Sequence, residues 1–222
     1  RIRNGGEDME DFILVGLSYA KGETPEYSRR RDYTPTANGD KEAVSDMLTA
    51  PPVYGEAEGY RKFIADEVFP LVAKHYRADM KRAIYAGHSF GGLFGLHVLL
   101  TEPSMFEKYI IGSPSLWFDR RVAFATERNY AKSHSDLRAK VFMAVASYET
   151  LNFSSTNPRY NKTVDMVRDL QALAHVLESR RYRSLEVQTT IIDDEDHLTV
   201  FPAVITRGLK WALPPQLPES AD

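Results

Sequence analysis

The chain has no cysteine, which removes disulfides, thiol nucleophiles and thiolate metal sites. The same absence suits a cytoplasm and an oxidising compartment such as a periplasm equally, so it assigns no location. No apolar run approaches the roughly 18–20 residues that cross a bilayer, and no membrane partner is expected. Neither sign of charge dominates: 28 Lys and Arg against 31 Asp and Glu leave a formal net charge of −3. That balance offers nothing to draw nucleic acid or an anionic membrane. Repeats and low-complexity tracts are missing as well. The sequence opens without Met and without a charged-then-apolar leader. It reaches the apolar run Phe12–Leu17 almost at once, which reads as the middle of a domain.

What is there is ordinary for a globular chain. With 222 residues, 43% of them hydrophobic and 27% charged, one domain over 1–213 with a sizeable core is expected. The tail 214–222 is expected to be disordered. Phe12–Ser18 is a continuous apolar run suited to an interior parallel strand. The polar stretch Tyr19–Pro52 reads as a long functional loop, with a short helix over Ser45–Ala50. Tyr60, Phe63, Ile64, Val68, Leu71 and Val72 mark one helical face running to about Tyr76, kinked at Pro70. Further strands are expected at Ala83–Ala86, Tyr109–Ile111, Val141–Ala146 and Glu186–Ile192. Helices are expected after the first of these, over Met166–Leu177, and over Phe201–Trp211 with Thr199 as a cap and Pro202 in its first turn. Strands alternating with helices argue for a mostly parallel α/β sheet covered on both faces, with functional groups beyond the carboxyl ends of the strands.

The most informative stretch is Lys81–Leu100. A short apolar strand leads into Gly87-His88-Ser89-Phe90-Gly91, and Leu93, Leu96, His97 and Leu100 follow at helical spacing. Strand, Gly-x-Ser-x-Gly and helix in that order form the context of a nucleophile elbow. Ser89 must then occupy a sharp, strained turn, with Gly87 and Gly91 letting neighbouring backbone approach. The Phe90 N–H, at the start of the helix, is free to meet developing negative charge.

A serine hydroxyl needs a base, and the base needs an orienting group. Of six histidines, only His197 stands just after the last strand, at the sheet end where Ser89 emerges. Glu149 follows the Val141–Ala146 strand to the same end and is the leading acid. Its rivals are Asp165, at a helix start, and the run Asp193-Asp194-Glu195-Asp196. Asp196 adjoins His197, which makes a triad-like bond awkward. The run lacks the Gly-punctuated spacing of a calcium loop, so neither metal nor cofactor is expected. Trp117 leaves the sheet at this end and is a candidate pocket wall. Tyr19, Arg31 and His88 join it as candidates for substrate contact, Arg31 with its neighbours Arg29 and Arg30 for an anionic group. Asp32 is a candidate partner for one of the three.

The elbow GHSFGG, the helix EGYRKFIADEVFPLVAKHY, the loop SPSLW and the terminus DEDHLTVFP resemble the esterase D-like branch of the α/β-hydrolases. RRRDYTPT, Arg29–Thr36, is similar to a segment of its siderophore esterase-like members. The resemblance covers about Phe12 to Trp211. It implies a serine esterase with Ser89 as nucleophile, His197 as base and Glu149 as acid. It also implies strands upstream of Phe12, so the sequence is expected to be N-terminally truncated. The loop that supplies a second oxyanion donor beside Phe90 would then be missing, at a typical cost of ~10²–10³ in turnover. The alternatives to truncation are that a local N–H, such as that of Ser18 or Tyr19, substitutes, or that a neighbouring chain supplies the donor. A sheet edge left open by such a loss invites pairing, and a homodimer is expected. Siderophore lactones and simple or aryl carboxylesters are the substrates in view. The alternative of another class is a non-catalytic hydrolase-fold binding protein.

Overall fold

The computed structural model describes residues 9–40, 42–43, 45–47 and 50–215. Four strands form one sheet in the order β1-β2-β3-β4. They are β1 (Ile84–His88), β2 (Lys108–Gly112), β3 (Ala139–Ala146) and β4 (Leu185–Ile192). Every adjacent pair is parallel. Parallel neighbours need crossovers, and the intervening helices supply them. β3 shows what an interior parallel strand requires: seven of its eight residues are buried, in a run with no polar alternation.

Helices cover both faces. On one side α4 (Phe90–Thr101) packs against β1 and β2, and α6 (Met166–Ser179) against β3 and β4. Leu93, Leu96, Tyr109, Ile111, Val141, Met143, Leu170 and Leu173 meet in that core. On the other side α7 (Phe201–Ala212) seals a smaller core around Ile110, Phe142, Ala144 and Val204. Gly208 is obligatory in this packing, because a Cβ there would lie 2.4 Å from Ile110 Cγ2.

The expected kink at Pro70 takes a specific form. α2 (Ala57–Phe63) passes through a π-helical turn, Ile64–Val68, into α3 (Phe69–His75). The wider turn lies where proline, lacking an N–H, would otherwise clash with the carbonyl four residues back.

Two helices lie where none was expected, one inside the stretch read as a long loop and one where no element was assigned. α1 (Pro25–Tyr33) opens on Thr24, whose Oγ1 accepts the Tyr27 N–H at 3.3 Å. Its Thr-Pro-Glu start was a legible signal inside a polar stretch. α5 (Phe118–Ser133) follows the SPSLW loop. Its inner face carries Glu127, fully buried in a bidentate pair with Arg180 at 2.7 and 2.8 Å, and that charge breaks the apolar period. At its start Asp119, Arg120 and Arg121 hold φ of 41°, 52° and 65°. Left-handed backbone costs roughly 1–2 kcal/mol per L-residue.

Phe12–Leu17 corrects the sequence reading, because it is not a strand. Among the described residues no backbone hydrogen bond ties it to β1. It runs along a cleft of about 1410 Å³ whose opposite wall includes Ile84–His88, and Leu14 is 83% exposed. Hydrophobicity alone does not make a strand; its N–H and C=O groups need a ladder partner. Asp46 and Met47 form bends rather than part of a helix, with Leu48 and Thr49 outside the described residues. The tail expectation falls, beyond Pro215, outside them too.

Candidate active site

β1 delivers Ser89 into a strained turn at φ 61° and ψ −120°, directly before α4. Such a conformation persists where surrounding structure holds it. Here the Ser89 N–H donates to Gly112 O at 3.0 Å, and Ser89 O accepts from Leu93 N–H and Ser115 N–H. Close approach falls at Gly87, where a Cβ would meet Gly91 O at 2.6 Å, and at Gly92, 2.9 Å from Gly112 O. Gly91 itself has room, its nearest neighbour lying 3.7 Å away. The sharp turn therefore depends on Gly87 and Gly92 more than on the motif's second glycine. The Phe90 N–H begins α4 with no protein acceptor among the described residues.

Three side chains from separate loops meet at this rim. Ser89 Oγ lies 2.9 Å from His197 Nε2, and His197 Nδ1 lies 2.5 Å from Glu149 Oε1. The partners set the tautomer: Nδ1–H donates to the carboxylate and Nε2 accepts from the hydroxyl. His197 keeps 37% of its side chain exposed, whereas Glu149 keeps 2%. The imidazole is thus open to solvent while its carboxylate is sealed. Glu149 Oε2 is engaged as well, accepting from Ser113 Oγ at 2.6 Å and from the Ala146 N–H at 2.7 Å. A buried carboxylate with both oxygens hydrogen-bonded has no freedom to turn away.

His88 lies behind the imidazole, their ring centroids 4.6 Å apart. Its Nε2–H donates to the His197 carbonyl at 2.9 Å. Burial, reinforced by the nearby His197, pushes the His88 imidazole down to about 4. His88 therefore stays neutral at working pH and supports the loop that carries His197. The other side of that loop is held by Arg159, a residue the sequence reading passed over. Its guanidinium donates to Asp194 at 2.8 Å and Asp196 at 2.9 Å and rests 4.3 Å above the Tyr148 ring. The Arg159 hydrogen bond, chiefly, holds the Asp196 carboxyl below its usual range. Thr199 closes the same turn: its Oγ1 accepts the Asp196 N–H at 3.1 Å instead of capping α7. No signal beyond an arginine in a polar loop pointed to Arg159.

The other sequence candidates separate. Trp117 stands 40% exposed, its ring 6.0 Å from that of Phe90. Tyr19 lines the large cleft together with Arg29 and His88. Ser18 is exposed, makes no hydrogen bond among the described residues and does not line that cleft. Arg31 is taken up by ion pairs with Asp32 at 2.8 Å and Glu23 at 2.5 Å. Both partners, Asp32 first, raise its guanidinium above its already high range. Arg29 is the arginine at the elbow, its Nη2 3.5 Å from the His88 carbonyl.

Comparison with known proteins places the chain. Residues 8–186 match the family described as Putative esterase. The chain belongs to that family. It is 31% identical over 209 residues to the ferri-bacillibactin esterase BesA of Bacillus subtilis, spanning 93% of this chain and 68% of that protein. It is 30% identical over 219 residues to the siderophore enterobactin esterase of Emericella nidulans, spanning 90% and 71%. The BES protein from Bacillus cereus superposes with a TM-score of 0.68 at 24% identity, covering 88% of this chain and 69% of that one. The fold is that of the α/β serine hydrolases. As a member of the esterase family, the protein is a carboxylic ester hydrolase.

Proposed function

We propose that the protein cleaves carboxylic esters through an acyl-enzyme on Ser89, with His197 as base and Glu149 as its orienting acid. The observation that carries this reading is the continuous path from Ser89 Oγ through both nitrogens of His197 to Glu149 Oε1. His197 Nε2 takes the hydroxyl proton as Oγ attacks the ester carbonyl. Glu149 stabilises the imidazolium that forms, and the Phe90 N–H, at the positive end of α4, receives the oxyanion. The imidazolium returns its proton to the leaving alcohol. Water then attacks the acyl-enzyme, with His197 again as base.

Siderophore esters are the proposed substrate class. The names of the Bacillus subtilis and Emericella nidulans relatives point there, and Trp117 and Arg29 flank the elbow with an aromatic face and a cation. The deciding experiment compares p-nitrophenyl acetate hydrolysis by the wild type and Ser89→Ala. A rate lost in the variant, with an acyl adduct on Ser89 by mass spectrometry, supports the reading. Equal rates in the two proteins would remove it.

A further inference from the structure

A second serine stands beside the nucleophile. Ser115, in the loop that leaves β2, is 1% exposed, so its hydroxyl is out of reach of solvent and needs a partner within the protein. Among the described residues that hydroxyl has one, Ser89 Oγ, at 3.4 Å.

The direction of the contact follows from the other partner of Ser89. His197 carries its imidazole proton on Nδ1, toward Glu149, so Ser89 Oγ–H donates to Nε2. With its own proton committed, Ser89 Oγ accepts from the Ser115 hydroxyl. The path to Glu149 therefore begins one group earlier, at Ser115.

Backbone contacts hold the two serines in register. The Ser115 N–H donates to Ser89 O at 3.2 Å, the Ser89 N–H to Gly112 O at 3.0 Å, and the Ser113 N–H to Ala144 O at 2.7 Å. Pro114 packs so closely on the elbow helix that a Cβ at Gly92 would lie 3.0 Å from Pro114 Cα. Loop and elbow are thus tied from both sides. A separation of 3.4 Å is long for two neutral hydroxyls. Catalytic hydrogen bonds commonly tighten only in the reacting complex, and O–H bonds to an anionic oxygen shorten to roughly 2.5–2.7 Å.

We propose that Ser115 is a further catalytic residue, whose hydroxyl donates to Ser89 Oγ and stabilises the negative charge gathering there during attack and again during release. The inference rests on the acyl-enzyme reading. In acylation the Ser89 proton passes to His197 Nε2 as the Oγ–carbon bond forms. The leaving alcohol takes that proton as its own bond to carbon breaks. In deacylation a water proton passes to His197 as the water oxygen bonds to the carbonyl carbon. The Oγ–carbon bond then breaks, and the proton returns to Oγ. Ser115 keeps its own proton throughout. One donor serves both steps because the same oxygen enters and leaves, whereas the Phe90 N–H faces the carbonyl oxygen.

The test compares Ser115→Ala, which has no donor, with Ser115→Cys, which nearly keeps the volume but donates weakly. Two readouts are taken: the rate of Ser89 labelling by a fluorophosphonate, and kcat and KM for p-nitrophenyl acetate. Both variants should lose about 10–100-fold in labelling rate and in kcat, with KM little changed. Wild-type rates in Ser115→Ala would overturn the proposal. Recovery of both rates in Ser115→Cys would assign Ser115 to packing and overturn it too. Where Ser115→Ala fails to fold, Ser115→Cys decides alone by the same rates. A loss in kcat with labelling untouched would also count against it, because labelling is attack by the same oxygen. Ester turnover by a wild type that is not labelled at Ser89 would instead remove the acyl-enzyme reading, an outcome seen before any variant is made.

Discussion

Phe12–Leu17 and β3 are both continuous apolar runs, FILVGL and AKVFMAVA, and they meet opposite fates. In β3 nearly every side chain is buried and both edges are hydrogen-bonded, to β2 and to β4. Phe12–Leu17 lies across an open cleft from β1, unpaired and largely exposed. The difference teaches that a parallel strand is a property of its neighbours. Backbone groups gain by leaving water only where a ladder receives them. The site follows the same rule: Ser89, Glu149 and the loop of His197 all leave paired strands.

The largest effect expected is on that rim. Ser89→Ala should lower kcat for p-nitrophenyl acetate by about 10⁴–10⁶-fold, whereas Leu14→Ala, on the unpaired segment, should leave it within a factor of about two. A loss of comparable size in Leu14→Ala would break the contrast. Next, Glu149→Gln should cost about 10²–10⁴-fold in kcat, because the amide no longer stabilises the imidazolium or fixes its tautomer. Full activity in that variant would remove Glu149 from its role.

Stability should divide the two runs in the same way. Phe142→Ala empties a site on β3 that is only 2% exposed; it should cost about 3–5 kcal/mol in urea unfolding. Leu14→Ala should stay within about 0.5 kcal/mol. Smaller still, Arg159→Ala should lower kcat about tenfold by loosening the His197 loop, with KM for a small neutral ester little changed.

A pH test sharpens the comparison further. The His88 imidazole is pushed down to about 4, first by burial, so between its ordinary value of roughly 6.5 and 4 the unfolded chain binds more protons than the folded one. Its contribution to stability is complete above that window and fades as pH falls through it. Urea midpoints at pH 7 and pH 5 should show the loss, and His88→Asn should flatten it. Asp196 has the same sense at lower pH: its depressed carboxyl adds stability above the ordinary Asp range, and this is lost on acidification through its folded value. Stability that rises as the pH is lowered from 7 to 5 would contradict the first of these signs.

Much of the candidate site was legible in the sequence. The strand-elbow-helix order marked Ser89, and emergence at the carboxyl ends of later strands marked His197 and Glu149. Those signals are local, because a turn type or a strand terminus is encoded by adjacent residues. Arg159, Ser113 and the support from His88 were not legible. Their roles depend on distances between loops far apart in the chain, for which sequence spacing carries no information. α5 was hidden for a related reason: Glu127 looks like an exposed position until Arg180, 53 residues later, is seen to neutralise it.

The amino-acid order alone determined the parallel α/β plan, the sharp Gly-x-Ser-x-Gly turn between strand and helix, and the order Ser89, Glu149, His197 of the candidate residues, since periodicity, glycine placement and chain direction are written residue by residue. Only the tertiary structure decided which apolar run became a strand, which arginine braces the His197 loop, and which glycines the elbow needs. Each of those outcomes turns on what stands opposite a residue in space, and that partner is chosen by packing rather than by sequence neighbours.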